Sequence, residues 1–107
     1  MPLYKTIVHN SDTQIFVWKI SETEAALNAT IQLQDKHLHR LNGMLSEQHR
    51  KGFLSVRKLL MEAGYTDFDL NYDTNGKPSL ADGKHISITH SYDFSAIIVS
   101  SQNVGID

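Results

Sequence analysis

The fold is decided by residues 46–64, which have the sequence SEQHRKGFLSVRKLLMEAG. Ser46 begins the helix that this stretch predicts, and Gly64 ends it in the manner of a C′ glycine. Apolar residues recur at spacings that fit one buried stripe of this helix: Leu45, Phe53, Val56, Leu60 and Ala63. Such a stripe has to be covered, and we expect a β-sheet formed by the rest of the chain to cover it.

Two segments ahead of this helix favour β-strands. Residues 4–8 and 14–20 are rich in β-branched and aromatic residues. Residues 10–12 (NSD) lie between them and supply turn chemistry. The sequence therefore predicts a β-hairpin at this end of the chain.

A short helix is predicted next, followed by a segment whose structure the pattern leaves open. Residues 21–24 (SETE) match a capping box, in which the Ser21 hydroxyl can bond a free backbone N–H. The segment 32–43 is polar, and its firm apolar anchors are Leu38 and Leu41.

The hydrophobic period changes to two after Gly64. Residues 68–72 alternate, residues 73–76 (DTNG) favour a turn, and residues 85–90 (HISITH) favour a strand. The continuous apolar run 96–99 predicts a strand buried on both faces. The predicted fold class is α+β, a mostly antiparallel sheet with one main helix packed on it.

Composition limits the classes of function. The chain has 107 residues, enough for one domain or one lobe, and a net charge of -2, which argues against a nonspecific nucleic-acid binder. It has no cysteine, which excludes disulfides and thiolate metal sites. No apolar run approaches the ~20 residues that a membrane span needs, and no signal sequence is evident. A cytoplasmic protein is expected.

Basic side chains in two places are candidates for binding an anion. Arg50 and Arg57 are seven residues apart, so two helical turns place them on nearly the same face. In the GKP turn, Gly76 allows a ligand to approach the backbone, and Pro78 favours an extended Lys77. The alternative interpretation of Lys77 is a solvated side chain on an ordinary hairpin turn.

Two later segments end strands with polar residues. Residues 89–91 (THS) present hydroxyls, an imidazole and backbone amides, which are donors that phosphate oxygens accept. A strand-end histidine with a structural partner is the alternative for His90. Residues 104–107 (VGID) end in Asp107, a carboxylate that needs a metal ion or an arginine if buried, or that lies at the surface.

Together, in this order, the three segments resemble the motifs of the Sfp-type 4'-phosphopantetheinyl transferases. That family carries a GKP turn, then a strand ending in S/T-H-S, then a strand with the pattern G-[IV]-D-[IV]-E. The matching residues here are 76–78 (GKP), 89–91 (THS) and 105–107 (GID). An arginine-bearing helix precedes the GKP turn in the family, as it does here. The motifs cover the second half of the chain, and the first half is compatible in organisation.

The resemblance implies that residues 1–107 are the N-terminal lobe of a two-lobe enzyme. Such an enzyme moves the phosphopantetheine arm of coenzyme A to a serine of an acyl or peptidyl carrier protein with Mg²⁺ as cofactor. It implies catalytic roles for Asp107 and His90, with Asp107 as a metal ligand. Coenzyme A would be held by Arg57 or Arg50 and by further residues of the motifs: Lys77, Pro78, Thr89 and His90.

The family pattern continues beyond Asp107 with a second acid two residues later and a W-x-x-K-E type helix farther on. Because these residues are not in this sequence, we expect negligible transferase activity from this polypeptide alone. We also expect it to self-associate, since one lobe leaves its inter-lobe surface, including residues 97–99, open to solvent.

Two other classes of function remain open. His37, His39 and His49 could form part of a metal-binding module, although no cysteine or close acidic partner completes the set. A non-catalytic α+β module could instead use Arg50, Arg57 and Lys77 to bind an anionic ligand or partner. Coenzyme A binding by wild type and by His90 and Lys77 variants separates such a module from the family site, and a zinc titration followed by calorimetry tests the metal-binding class.

Overall fold

The computed structural model describes residues 5–10, 12–91 and 93–101 of the chain. These residues form an α+β fold with antiparallel sheets and three α-helices. The elements in chain order are β1 (Lys5–Asn10), β2 (Thr13–Lys19), α1 (Glu24–Asn28), α2 (Asp35–Asn42), α3 (Glu47–Glu62), a 3₁₀ turn (Asp67–Asp69), β3 (Leu70–Tyr72), β4 (Pro78–Leu80), β5 (His85–His90) and β6 (Phe94–Ser100). The predicted fold class is therefore confirmed at this level.

The main sheet has the strand order β1-β2-β6-β5, and every neighbouring pair is antiparallel. The hairpin predicted at the start of the chain is its β1-β2 edge. Strands β3 and β4 form a separate two-stranded sheet across the predicted DTNG turn. No helix in the described part of the chain combines the length and the apolarity that crossing a membrane would require.

Helix α3 is the main helix and packs against β2 and β6. The Ser46 hydroxyl accepts a hydrogen bond from the backbone N–H of His49, and Gly64 takes a left-handed conformation with φ of 93°. Both predicted ends of the helix are therefore confirmed. The buried stripe was wrong at one position: Leu45 precedes the helix and is 97% exposed, because the cap turns the chain away from the core there.

The two faces of the main sheet differ. Phe16 and Trp18 of β2 and Ile97 and Val99 of β6 are buried and belong to one core with the helices. On the opposite face lie Ile15, Val17, Ala96 and Ile98, which are half-buried and outside that core. The prediction that residues 96–99 are buried on both faces was therefore wrong. Their strand is antiparallel, and only alternate side chains meet the helical layer.

Three local predictions also need correction. Helix α1 is capped by Thr23, whose hydroxyl accepts from the Ala26 N–H, so the capping box does not begin at Ser21. In the segment that the pattern left open, helix α2 buries Leu41 but leaves Leu38 exposed. Residues 67–69 form a 3₁₀ turn, which takes the first part of the predicted strand and exposes Phe68.

Candidate functional site

A groove of ≈ 340 Å³ lies between the helices, the GKP turn and strand β5. Its polar rim includes Arg40 from α2, His49 from α3, Lys77 from the turn and His90 from β5, and Pro78 borders it at the start of β4. Its walls are mostly apolar and include Phe53, Val56 and Ile88. No aspartate or glutamate occurs among the described residues that line it. We call this feature the cationic groove.

The GKP turn is held by Asp73 and by the backbone of Gly76. One carboxylate oxygen of Asp73 accepts hydrogen bonds from the Asn75 N–H (2.8 Å) and the Lys77 N–H (2.9 Å). Gly76 has φ of 83°, a left-handed conformation that glycine adopts without a Cβ penalty. The Lys77 side chain is exposed at the groove and has no hydrogen-bond partner among the described residues. Its ammonium group can therefore contact a ligand anion.

His90 ends β5 and lies against helix α3. Its ring centroid is 6.1 Å from that of His49, and the two rings are tilted by 35°. Burial lowers the pKa of His90, and the neighbouring His49 lowers it further. An imidazole with a lowered pKa is neutral at neutral pH, so it can donate one hydrogen bond and accept another. A bound phosphate would favour its protonation.

Thr89 does not line the cationic groove. It alternates with His90 along β5 and borders a smaller pocket of ≈ 190 Å³ on the other side of the strand, together with Ser91 and Ala96. Among the residues that the structure describes, only His90 borders both cavities. Of the predicted hydroxyl and imidazole pair, the structure brings the imidazole alone to the groove.

Arg50 and Arg57 do not converge on one ligand position. The Arg50 Nε donates to Glu24 at 2.8 Å, and its Nη1 donates to the Met44 carbonyl at 2.8 Å. Arg57 lines the cationic groove, but its Nε donates to the buried Asp67 at 2.9 Å. The seven-residue spacing placed them on similar faces, but their long side chains follow different partners.

Arg57 belongs to a buried cluster with Asp67 and His37. Its side chain is 2% exposed, and its guanidinium carbon lies 3.6 Å from the centroid of the Phe53 ring. The same Asp67 oxygen also accepts from His37 Nδ1 at 2.7 Å. The other Asp67 oxygen accepts from the Gln34 N–H at 2.8 Å. A buried carboxylate with these donors is satisfied, so the cluster joins α2, α3 and the 3₁₀ turn.

His37 is neutral in this cluster. Burial is the main cause that lowers its pKa, and the nearby Arg57 lowers it too, against the opposing effect of Asp67. Because Nδ1 bonds to Asp67, that nitrogen carries the proton. The buried Nε2 has no partner among the described residues. His37 therefore stabilises the fold as a hydrogen-bond donor; it does not line the groove, although its ring packs edge-on against Phe53 and Tyr72, which do.

Sequence reasoning missed Arg40 as a groove residue. Its guanidinium carbon lies 4.7 Å from the centroid of the Tyr72 ring, which also lines the groove. One sequence feature could have indicated it. His37 and Leu41 are four residues apart, so on a helix they share the buried face, and Arg40 lies next to that face. That clue required assigning a helix to a segment whose pattern is weak.

The predicted metal ligand, Asp107, lies outside the described residues, as do Gly105 and Ile106. Within the described ranges, no group of three or more histidine, cysteine, aspartate or glutamate side chains is arranged to hold a metal ion. His37 and His39 diverge from each other on α2, and His49 lies on α3. The Mg²⁺ expectation therefore depends on Asp107.

A scan against models of known protein families and a search of curated proteins find no match to this chain. Inference about function therefore depends on the groove and on the motifs that border it.

Proposed function

We propose that this chain is the coenzyme A-binding, N-terminal lobe of a 4'-phosphopantetheinyl transferase. The observation that carries the proposal is that two motifs, separate in the sequence, border one cationic groove: the GKP turn through Lys77 and Pro78, and the THS strand end through His90. The arginine-bearing helix α3 forms the wall between them. These motifs are the part of the resemblance that falls within the described residues.

The charge and size of the groove support an anionic ligand with an apolar part. Arg40 and Lys77 contribute positive charge, and the described lining has no opposing carboxylate. A volume of ≈ 340 Å³ is within the range of small-molecule sites, roughly 300–1,000 Å³. Phosphate groups would contact the rim, while the apolar wall around Phe53 would exclude water from the rest of the ligand.

Each residue has a proposed task at this site. Lys77 and Arg40 neutralise phosphate charge, and His90 donates a hydrogen bond to a phosphate oxygen. Arg57, the first choice on the sequence for gripping coenzyme A, is instead proposed to fix the groove wall, because its guanidinium is bonded to Asp67 and stacked on Phe53. Arg50 is instead proposed to hold α1 in place through its ion pair with Glu24.

In the proposed reaction, a carrier-protein serine oxygen attacks the β-phosphate of bound coenzyme A. A new O–P bond forms, the P–O bond of the pyrophosphate breaks, and 3',5'-ADP leaves with the electron pair. The serine proton would pass to a carboxylate base, which the family pattern places after Asp107. Lys77 and His90 would stabilise charge on the phosphates during this step. Mg²⁺, held through Asp107, would supply further charge neutralisation when bound.

Coenzyme A binding measured by calorimetry tests the proposal. Lys77→Ala and His90→Ala should each weaken binding about 10-fold or more, since hydrogen bonds to charged groups contribute about 1.5–3 kcal/mol. Lys84→Ala is the matched control, because Lys84 is an exposed lysine that does not line the cationic groove. Absence of binding by the wild type, or an equal loss in the Lys84 variant, contradicts the proposal.

A non-catalytic module that binds coenzyme A or another anion is the second candidate. It is favoured by the fact that the described groove comprises groups that bind an anion, the cations Arg40 and Lys77 and the imidazole of His90. Transfer of the phosphopantetheine arm to a carrier protein, followed by mass spectrometry, distinguishes the two. Detected transfer contradicts the non-catalytic module, whereas binding without transfer is expected of both candidates, because negligible transferase activity is expected from residues 1–107 alone.

Self-association is proposed through the face of the main sheet that lies outside the core. Ile15 pairs with Ile98, and Val17 pairs with Ala96, so four uncharged apolar side chains are contiguous there. Of residues 97–99, which were expected in the open surface, only Ile98 lies on this face, because Ile97 and Val99 are buried in the core. A second copy presents the same apolar side chains and is always available at equal concentration. Light scattering should show a dimer or larger species, and Ile98→Lys should shift it to monomer. A monomeric wild type at high concentration contradicts this proposal.

A further inference from the structure

Gly52 stands at an unexpected place, in the interior of the main helix. Glycine is among the least favourable residues in a helix interior, so its presence there needs a reason in packing or function. The reason is not backbone conformation, because Gly52 is not among the glycines with positive φ. It is buried, and the residues that follow it in α3 form the core.

The space that Gly52 leaves is occupied by His90. A Cβ atom at position 52 would lie 3.0 Å from His90 Nδ1 and 3.3 Å from its Cγ and Cε1. Contacts this short force the neighbour to move. The imidazole therefore packs directly on the backbone of α3, and a Cβ atom at position 52 would push the ring away by a few tenths of an ångström.

His49 completes the surroundings of this ring. It lies three residues before Gly52, hence on the same side of α3, and its ring is 6.1 Å from that of His90. The His90 imidazole is thus in contact with helix backbone at Gly52 and adjacent to the His49 ring. Its remaining surface borders the cationic groove, near Lys77.

We propose that Gly52 is the positioning residue of the groove: its missing side chain lets the His90 imidazole lie against α3, where it can bond a ligand phosphate. The proposal rests on the proposed function for the identity of the ligand, coenzyme A. The packing of His90 on Gly52 does not depend on that identity. Gly52 itself would make no contact with the reacting atoms.

Gly52→Ala tests the proposal, since alanine favours the helix while its methyl group displaces the ring. The variant should remain folded, with a midpoint of thermal unfolding equal to or above that of the wild type. Its Kd for coenzyme A should rise about tenfold, comparable to the loss of one hydrogen bond to a charged group. A gain in stability with a loss of affinity is not expected from a residue that only fills the core.

The double variant Gly52→Ala/His90→Ala provides the control. If Gly52 acts through His90, adding Gly52→Ala to the His90→Ala protein should change the Kd less than twofold, so the two effects are not additive. Additive losses overturn the proposal. If Gly52→Ala alone fails to fold while the double variant folds, the contact with His90 is supported. If both fail to fold, glycine is required for another reason and the proposal is overturned.

Nuclear magnetic resonance titration of the histidine rings gives a readout without any ligand. Burial lowers the pKa of His90, so a shift of the ring away from α3 in Gly52→Ala should raise that pKa toward its ordinary value. An unchanged His90 titration overturns the positioning role, whereas failure of wild type to bind coenzyme A, with the titration shifted, overturns the proposed function alone.

Discussion

The buried cluster of His37, Asp67 and Arg57 and the rim of the cationic groove use similar residue types in opposite ways. In the cluster, Arg57 and His37 both bond to Asp67, and their side chains are almost fully enclosed. At the rim, Lys77 and His90 lie at the ends of a turn and a strand, with no carboxylate among the described residues that line the groove. The cluster joins three elements, whereas the rim retains unbonded donors.

This difference explains why residue type alone is a poor guide to function here. Arginine on the main helix is the natural candidate for binding a phosphate. Whether such an arginine is available to a ligand depends on whether a carboxylate of the same chain already forms an ion pair with it. Arg57 meets Asp67 at 2.9 Å, and Lys77 meets no such group within the described residues. The two regions can be compared directly by removing one side chain from each and measuring the change in the free energy of unfolding.

The largest effect is expected from Asp67→Ala. Removing this carboxylate leaves Arg57 buried without its counter-charge and His37 without an acceptor, which costs about 3–5 kcal/mol of the free energy of unfolding. Urea denaturation measures it. Glu24→Ala is the matched control, because it removes the partner of the half-exposed Arg50 and should cost no more than ~1 kcal/mol. Equal effects would remove the distinction between the two ion pairs.

The second-largest effect is expected in the dependence of stability on pH, and we expect the protonation of His37 to cause it. Its folded pKa is lowered by burial, so between that value and the ordinary 6.5 the unfolded chain binds more protons than the folded one. Stability is therefore complete above pH 6.5 and falls as the pH decreases below it, by at most about 1.4 kcal/mol per pH unit for one proton.

The variants His37→Gln and His90→Ala show which of the two histidines causes this dependence of stability on pH. Burial lowers the pKa of His90 too, but that ring borders the groove. Unfolding measured across pH should show a shallower slope below pH 6.5 in His37→Gln than in the wild type. A slope that is lost in His90→Ala and kept in His37→Gln would show that the groove, and not the cluster, couples protonation to folding.

The sequence was sufficient where structure is determined locally. Ser46 and Gly64 limit α3 because capping depends on neighbouring backbone groups, and the DTNG turn depends on the freedom of Gly76. The capping of α1 by Thr23 was missed because Ser21 has the same chemistry two residues earlier. Local rules do not separate such neighbours.

The sequence was insufficient where two distant segments meet. The burial of Arg57 follows from Asp67, which lies beyond the end of α3 in a segment whose pattern predicted neither a 3₁₀ turn nor an ion pair. Arg40 and His90 come to one groove from elements fifty residues apart in the chain. The order of the three motifs indicated that the GKP turn and His90 belong to one site. It did not indicate that Thr89 faces the other side of β5.

A smaller effect is expected at the turn that carries Lys77. Gly76→Ala should cost about 1–2 kcal/mol, because φ of 83° puts a Cβ atom in an unfavourable conformation although no atom lies within 4 Å of it. Gly43→Ala is the control, since Gly43 has φ of -85° and its Cβ would make ordinary contacts. It should be neutral or stabilising in the same denaturation assay. Similar losses in both variants would contradict the role of backbone strain.

The smallest effect on stability is expected from Lys77→Ala, and that is the sharpest test of the comparison. The Lys77 side chain is exposed and bonds to no described residue, while the hydrogen bond from its backbone N–H to Asp73 survives the substitution. The free energy of unfolding should therefore change by less than ~0.5 kcal/mol. A side chain that only binds a ligand can be removed with little loss of stability, whereas removal of the Asp67 carboxylate is expected to destabilise the protein. A loss of more than ~1 kcal/mol in urea denaturation would mean that Lys77, like Arg57, serves the fold.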